Sequence, residues 1–182
     1  MGNAPKPLTV NEFLEWCERQ PSGRFELVSG EVIAMSPERV AHARMKGRIW
    51  EELTRSIAQK GLPCEALPDG LTVRIDETTA YEPDALVHCS ESLSPNAVEV
   101  PEPIVVVEVL SPSTRGRDSG AKLEDYFRLA SVVHYLLVKT DRPALIHHHR
   151  LENGEIRTSI HHDGKLELAP PGIILNLDIV LN

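Results

Sequence analysis

An acidic residue inside an apolar run is the feature that most constrains this chain. The segment PIVVVEVL covers residues 103–110, and a run of Val and Ile that begins with Pro predicts a buried strand. Glu108 lies within this run. A buried carboxylate must be paired, protonated or bound to a metal ion, because an isolated charge is costly to remove from water. Glu108 is therefore either a structural carboxylate that caps a turn or pairs with Arg, or part of a functional site.

Side-chain alternation predicts where Glu108 points. In an extended strand it shares its face with Val106 and Leu110, whereas the odd-numbered valines of the run take the opposite face. Pro112 follows closely and is expected to end the strand. Glu108 is thus predicted to lie at an opening of the sheet rather than in the middle of the core.

Length and charge limit the possible classes of protein. A chain of 182 residues suits one domain, 1–182, and 41% apolar with 25% charged residues is typical of an ordinary folded protein. The net charge of −8 argues against a protein held to nucleic acid by its overall field, although it leaves room for a local basic patch. Seven basic residues could line a DNA cleft or else be solvated helix charge: Arg39, Arg44, Lys46, Arg48, Arg115, Arg117 and Arg128. We find no apolar leader and no apolar run of membrane-spanning length, and we predict a cytoplasmic protein without membrane contact.

The cysteines predict no cross-link. Cys17, Cys64 and Cys89 are odd in number and far apart, and none belongs to a CxxC pair. This pattern suggests neither a disulfide framework nor a zinc knuckle. The expectation is three small apolar residues in a reducing compartment.

The order of predicted elements indicates a mixed α/β fold around one central sheet. TVNEFLEWCERQ begins with a capping box, RFELVSGEVIAMS is a hairpin turning at Ser29-Gly30, and a long helix runs from Pro37 to Lys60. Strands LTVRID and YEPDALVHCS precede the Val run, and helix RDSGAKLEDYFRLA and strand VVHYLLVK follow it. ALIHHHRL, EIRTSIHH and KLELAP predict an antiparallel, β-rich tail. The core stripe expected on the second long helix is Leu123, Phe127 and Ala130.

Two acids are placed to share a cation. Asp84 follows Pro83 at the start of one predicted strand, and Glu108 lies near the end of the next long one. Consecutive strands usually neighbour each other about 5 Å apart, so side chains on one face can bind the same divalent ion. Carboxylates are suitable ligands for Mg²⁺.

Three further polar residues could complete such a site. Lys122 lies beside the predicted helix stripe and could stabilise a hydroxide or phosphate charge, or else be a solvated helix lysine. Glu26 is a third acid on an apolar strand. His42 could be a general base, a metal ligand or a phosphate donor, or else an ordinary surface histidine in a basic helix turn. His147 to His149 alternate across a strand, so all three cannot meet one ion, and exposed strand histidines are expected.

The combined pattern resembles a known family. RFELVSGEVIAMSPE with the following His, YEPDALV, PIVVVEVLSPST and KLEDYFRLASVVHYLLV are similar to the bacterial "putative restriction endonuclease" family, abundant in cyanobacteria, which has a PD-(D/E)XK nuclease core. The likeness runs from about Thr9 to Lys139. It implies an αβββαβ core at about 24–139, an N-terminal helix and hairpin, and a β-rich extension at about 142–182.

The resemblance also implies a site. Pro83-Asp84 matches the PD half-motif and Glu108 the following acid, but Leu110 stands where the motif has lysine. The family that this chain resembles looks like one in which the lysine has moved to the next helix. Lys122 fits that position. Asp84 and Glu108, with the Val109 carbonyl, are then expected to bind Mg²⁺ or Mn²⁺.

The activity implied is metal-assisted hydrolysis of phosphodiester bonds in DNA. Lys122 would orient water or stabilise the transition state, Glu26 would join or tune the metal site, and His42 would contact phosphate. Cutting both strands would suit a homodimer. The alternatives are a catalytically inactive nuclease fold that binds nucleic acid or a protein, and a hydrolase of small phosphoesters.

Overall fold

The structure is a computed structural model that describes residues 6–110 and 119–182. Pro112, predicted to end the Val strand, lies outside the described residues. The elements in chain order are α1 (Val10–Glu18), β1 (Phe25–Val28), β2 (Glu31–Ala34), α2 (Val40–Lys60), β3 (Glu65–Pro68), β4 (Val73–Arg74), β5 (Ala80–Tyr81), β6 (Ala85–His88), β7 (Pro103–Leu110), α3 (Ser119–Arg128), β8 (His134–Lys139), β9 (Ala144–Arg150), β10 (Ile156–His161), β11 (Lys165–Leu168), β12 (Ile173–Asn176) and α4 (Leu177–Val180).

The N-terminal helix and hairpin form where the sequence predicts them. The Glu12 amide donates to Thr9 Oγ1 at 3.3 Å and the Thr9 amide donates to Glu12 Oε2 at 2.8 Å, which completes the capping box of α1. Ser29 and Gly30 connect β1 to β2 with φ angles of 51° and 80°. Two successive left-handed residues are typical of a tight hairpin turn whose twist matches that of the strands.

A six-stranded mixed sheet forms the centre of the molecule. Its strand order is β10-β9-β8-β7-β6-β3, and β7 and β8 are parallel while the other pairs are antiparallel. A parallel pair requires a crossover connection, and α3 lies between β7 and β8 in the chain. The series α2, β3, β6, β7, α3 and β8 gives the expected αβββαβ core. Among the described residues, no helix has the length and apolar character that crossing a membrane requires.

The segment LTVRID, predicted as a strand, does not join the six-stranded sheet. Only Val73 and Arg74 of it are in a strand, and β4 joins a smaller sheet of order β2-β1-β5-β4. The chain leaves that sheet at the end of β5 and enters the large sheet at β6, with Pro83 between the two. Proline has no amide hydrogen to donate to a ladder, which suits a position between two sheets.

The two faces of β7 pack into different clusters, as the alternation predicts. Val105, Val107 and Val109 contact the apolar side of α2, which includes Ile49 and Leu53. Val106 and Leu110 belong to a second cluster, together with Tyr126 of α3. Helix α2 begins at Val40 rather than Pro37, because Arg39 before it is still extended.

The C-terminal extension packs on α2. Strands β11 and β12 pair as a hairpin, and β12 and α4 are elements that the sequence analysis did not predict. The Ile174 amide donates to Ser56 Oγ at 2.8 Å, and the Asn176 amide donates to Glu52 Oε1 at 3.0 Å. Leu168, Ile173 and Leu175 are fully buried in the α2 cluster, so the extension shares the core of the nuclease-like part.

The expectation that no cysteines pair is wrong. Cys64 and Cys89 form a disulfide, and Cys17 is a free thiol. The reason is strand register: β3 pairs with β6 so that Glu65 lies opposite His88, which brings the residue before the first strand next to the residue after the second. Disulfides are uncommon in reducing compartments, so the cysteines no longer support the cytoplasmic prediction.

Candidate active site

The site lies where β7 ends and β6 begins. Ala85 pairs with Val107, so the antiparallel register places Asp84 opposite Glu108. The Asp84 amide donates to the Val107 carbonyl at 3.0 Å, and the Val109 amide donates to Asp84 Oδ2 at 2.6 Å. Asp84 is thus fixed to the strand that carries Glu108 by both its backbone and its side chain.

Lys122 lies between two acids from different sheets. Its Nζ donates to Glu108 Oε1 at 3.0 Å and to Glu26 Oε1 at 2.7 Å. Glu26 also accepts the Glu82 amide at 3.1 Å, which fixes its carboxylate beside the connection from β5 to β6. Lys122 is only 8% exposed, so it is not a solvated helix lysine.

The orientation of α3 differs from the predicted stripe. Lys122 and Tyr126, four residues apart on one helix face, are buried, whereas Leu123 and Phe127 are partly buried and Ala130, which follows the end of α3, is exposed. The Tyr126 hydroxyl donates to Glu108 Oε1 at 3.0 Å. Tyr126 is not among the predicted site residues, although its spacing from Lys122 indicates the same helix face.

The buried charges shift each other's pKa. Burial, followed by the nearby carboxylates Asp84 and Glu26, raises the pKa of Glu108 to about 7, although Lys122 opposes the change. Burial alone would lower the pKa of Lys122, but Glu108 and Glu26 outweigh it and raise that pKa above its usual value. Lys122 is therefore held as an ammonium ion, and Glu108 lacks full compensation by positive charge.

His42, on α2, contacts Val109 and Asp84 from the face of the sheet opposite to α3. Its Nε2 lies 2.6 Å from the Val109 carbonyl oxygen and 3.5 Å from Asp84 Oδ2. Burial disfavours the imidazolium ion, but Asp84, the Val109 carbonyl and Glu38 together raise the pKa of His42. His42 is therefore not an ordinary surface histidine of a basic helix.

A second layer of charge supports Asp84, and the sequence analysis missed it. Lys46 lies one helical turn after His42, is 7% exposed, and pairs with Glu38 and Asp69. Its Nζ is 3.4 Å from Asp84 Oδ1. Burial raises the pKa of Asp84, but His42, the Val109 amide and Lys46 together leave that pKa lowered. Asp84 is consequently the carboxylate that stays ionised while Glu108 titrates.

All of the residues predicted for the site line one cavity, which we call the acid–lysine cavity. Its volume is about 220 Å³, and its walls also include Arg24, Met35 and Tyr135. The structure thus brings together the five predicted side chains and one predicted carbonyl: Glu26, His42, Asp84, Glu108, Lys122 and Val109.

The donor set fits a hard divalent cation. Carboxylate and carbonyl oxygens are the ligands that Mg²⁺ prefers, and the raised pKa of Glu108 indicates a carboxylate that a further positive charge would stabilise. One oxygen each of Glu38 and Asp84 and one nitrogen of His42 also lie within 4.8 Å of one another, and His42 could bind metal there only in its unprotonated form. The site can therefore hold a metal ion beside the Lys122 ammonium.

The basic residues predicted as a possible DNA-binding surface are not all available to contact DNA. Lys46 is buried among acids, and Arg128 pairs with Asp76 at 2.8 Å and Asp125 at 3.2 Å. Arg44 is exposed on α2, whereas Arg115 and Arg117 lie outside the described residues. Lys46 and Arg128 are therefore removed from the predicted DNA-binding set.

The αβββαβ core and the acid–lysine cavity at one end of its sheet define a protein of the nuclease-like α/β class. A solved structure described as "a putative nuclease belonging to DUF820" from Anabaena variabilis ATCC 29413 matches this fold with a TM-score of 0.70, over 96% of this chain and 98% of that chain, at 14% identity. The chain belongs to the family described as "Uma2: Putative restriction endonuclease", whose model matches residues 10–181.

A sequence relative extends over nearly the whole chain. The "Uncharacterized protein slr1290" of Synechocystis sp. is 29% identical over 181 residues, which cover 98% of this chain and 94% of the relative. Family membership and the nuclease-like fold, both expected from the sequence, are confirmed.

Proposed function

We propose that this protein is a DNA endonuclease that uses Mg²⁺ or Mn²⁺ to hydrolyse phosphodiester bonds. The observation that carries the proposal is the position of Lys122, whose ammonium group lies 3.0 Å from Glu108 and 2.7 Å from Glu26. A lysine on α3 thereby supplies a charge at the acids although Leu110 occupies the motif position. Catalysis depends on where the ammonium group is, not on its distance along the chain.

The cation-binding residues in this proposal are Asp84, Glu108 and the Val109 carbonyl. Glu26 tunes the site through its shared contact with Lys122, or contributes to a second ion. When bound, such a cation neutralises phosphate charge and makes water more acidic. The residues themselves provide a rigid arrangement, because Asp84 is fixed to β7 by the Val109 amide.

Lys122 acts as a donor and not as a proton acceptor. Its raised pKa keeps the proton on Nζ, so it can orient a water molecule or stabilise negative charge on a phosphate. His42 donates to phosphate in the same way, because its pKa is also raised. Tyr126 positions Glu108 through the hydroxyl contact at 3.0 Å.

The proposal extends to the whole chain. We treat 1–182 as a single nuclease-like domain, with a core at about 24–139 and an extension at about 142–182 that shares its apolar cluster. The proposal includes a cytoplasmic location, because the proposed substrate, DNA, is in that compartment. A homodimer would let two sites cut both strands, and β10, at the edge of the large sheet with Ile160 60% exposed, offers a surface for it.

A second candidate is a catalytically inactive nuclease fold that binds nucleic acid or a protein. The observation that favours it is electrostatic: the net charge is −8, and Lys46 and Arg128 are neutralised by acids rather than free for phosphate. Such a protein would keep the cavity without needing the cation.

Plasmid and single-stranded DNA, incubated with the protein and Mg²⁺ or Mn²⁺, test the proposal. We expect cleavage that is lost in Asp84→Ala and Glu108→Gln and kept in Glu124→Gln, which changes an exposed acid of α3. Cleavage that survives both site changes would show that the site is elsewhere. No cleavage and no metal binding by the unmodified protein would favour the inactive fold.

A further inference from the structure

Three imidazoles meet on the large sheet, away from the acid–lysine cavity. His147 and His149 are two residues apart on β9 and share a face, and the register of β8 places His134 directly opposite His149. One nitrogen from each ring lies within 4.8 Å of the other two. His148 points to the other face, where its Nδ1 lies 2.8 Å from Thr158 Oγ1.

This histidine cluster (His134, His147, His149) is separate from the acid–lysine cavity. His134 pairs with Val105 at the beginning of the parallel ladder, whereas Glu108 pairs with Leu137 three positions further on. None of the three histidines lines the cavity. The prediction of exposed strand histidines is wrong: His147 and His148 are 4% and 8% exposed and His149 is half-buried, because β8 and β10 flank β9 on both sides.

The contacts of His134 orient it as a ligand. Its Nε2 lies 2.7 Å from the Pro170 carbonyl oxygen, which can only accept, so Nε2 carries the hydrogen and Nδ1 carries a lone pair. In the metal-free protein His147 Nε2 donates to that Nδ1 at 2.9 Å, and an ion would replace this hydrogen bond once His147 takes its other neutral tautomer. A backbone carbonyl that fixes the tautomer of a histidine is the usual outer support of a metal-binding imidazole.

The cluster offers neutral donors and a route for the ion. His134 and His147 are buried, and burial favours the neutral imidazole, which is the form that binds metal. His149 is only partly buried, which leaves one side of the cluster open to solvent. Imidazole nitrogens suit Zn²⁺, Cu²⁺ and Ni²⁺ and not the hard Mg²⁺ of the carboxylates.

We propose that His134, His147 and His149 form a binding site for one Zn²⁺ ion or a similar transition-metal ion, on strands β8 and β9 and independent of the acid–lysine cavity. Three protein nitrogens leave a fourth tetrahedral position for water or another donor. His134 also makes a hydrogen bond to the Pro170 carbonyl in the turn between β11 and β12. An ion that fixes His134 would therefore strengthen the contact of this turn with the sheet. Its role is then to stabilise the contact between the C-terminal extension and the sheet.

The test uses the full chain without an affinity tag, freed of metal with EDTA and then dialysed. Zn²⁺ is titrated by calorimetry, and Co²⁺ by its visible absorption, into the unmodified protein, His149→Gln and His148→Gln. The matched control, His148→Gln, changes the adjacent residue of β9 on the opposite face. Each titration is repeated in a Glu108→Gln background, so that metal bound in the acid–lysine cavity is recognised.

We expect one equivalent of Zn²⁺ that binds to the unmodified protein and to His148→Gln and that persists in the Glu108→Gln background. A further equivalent that Glu108→Gln removes belongs to the acid–lysine cavity. His149→Gln should weaken binding by about tenfold or more and abolish the Zn²⁺-dependent rise in Tm. Equal binding by His149→Gln and the unmodified protein would overturn the proposal, as would equal losses in both histidine variants or no binding of Zn²⁺ or Co²⁺. Because His149 is partly exposed, its variant is expected to fold, which circular dichroism checks.

Discussion

The acid–lysine cavity and the histidine cluster handle buried titratable groups in opposite ways. In the cavity, Lys122 is kept charged by two carboxylates at hydrogen-bond distance. In the cluster, His134 and His147 are kept neutral by burial and by their contact with each other. The charged groups of the cavity are stabilised by ion pairs. The cluster is most stable where its imidazoles are unprotonated, because protonating a buried imidazole costs free energy.

The largest expected effect comes from removing the ammonium group. Lys122→Met should lower the free energy of unfolding by about 3–5 kcal/mol near pH 8, because Glu108 and Glu26 would remain buried without their cation. Urea unfolding in EDTA measures it. Glu124→Gln, on the exposed side of α3, should change stability by no more than about 0.5 kcal/mol. Equal stabilities of the two variants would show that the buried charge is not compensated by Lys122.

The second prediction concerns the sign of the pH dependence. The pKa of Glu108 is about 7 in the folded protein against 4.5 for the free group, so the folded state binds an extra proton between these values. Its stabilising contribution is complete below about pH 4.5 and is lost as the pH rises through about 7. Without metal, Glu108→Gln should therefore gain about 3 kcal/mol relative to the unmodified protein between about pH 5 and pH 8.

The histidine cluster should show the opposite slope. The folded pKa of His147, about 3, is below the 6.5 of the free group, so its contribution is complete above about pH 6.5 and is lost as the pH falls. Urea unfolding of Glu108→Gln and His147→Gln over the same pH range measures both slopes. The difference in free energy of unfolding between variant and unmodified protein should rise with pH for Glu108→Gln and fall with pH for His147→Gln. The same sign of slope for both variants would contradict this prediction.

A smaller effect is expected at Tyr126. Tyr126→Phe removes the hydroxyl contact with Glu108 but keeps the ring, which lies 5.1 Å from Tyr135 and 5.5 Å from Tyr81. A hydrogen bond to a charged group contributes about 1.5–3 kcal/mol, so stability should fall by that amount. Thermal unfolding near pH 8 measures the loss. A change below about 0.5 kcal/mol would mean that Lys122 alone positions Glu108.

The two regions also differ in how far the sequence predicts them. Asp84 and Glu108 follow from strand order and side-chain alternation, because both signals lie along the chain. The histidine cluster depends on the pairing of β8 with β9, which brings His134 beside His149. The Cys64–Cys89 bond depends in the same way on the register of β3 and β6. Cross-strand partners of this kind cannot be predicted from spacing within one segment.

Helix α3 shows a different limit of sequence reasoning. Apolar periodicity favours Leu123 and Phe127 as its buried stripe, yet the buried residues are Lys122 and Tyr126. The carboxylates of Glu26 and Glu108 account for the difference, since they bind the polar side chains of the helix. A stripe of apolar residues therefore predicts the core face of a helix less well where the facing surface carries buried charge.

Cleavage of supercoiled plasmid DNA by Lys122→Met tests most directly whether the lysine of α3 replaces the missing motif lysine. The cleavage rate of Lys122→Met in Mg²⁺ is compared with the rates of the unmodified protein and of Glu124→Gln. A double variant with both Lys122→Met and Leu110→Lys is also measured, because it returns a lysine to the motif position. We predict that Lys122→Met is slower by about a hundredfold or more and that the added lysine recovers part of the loss. Folded Lys122→Met that cleaves at the unmodified rate would contradict the account.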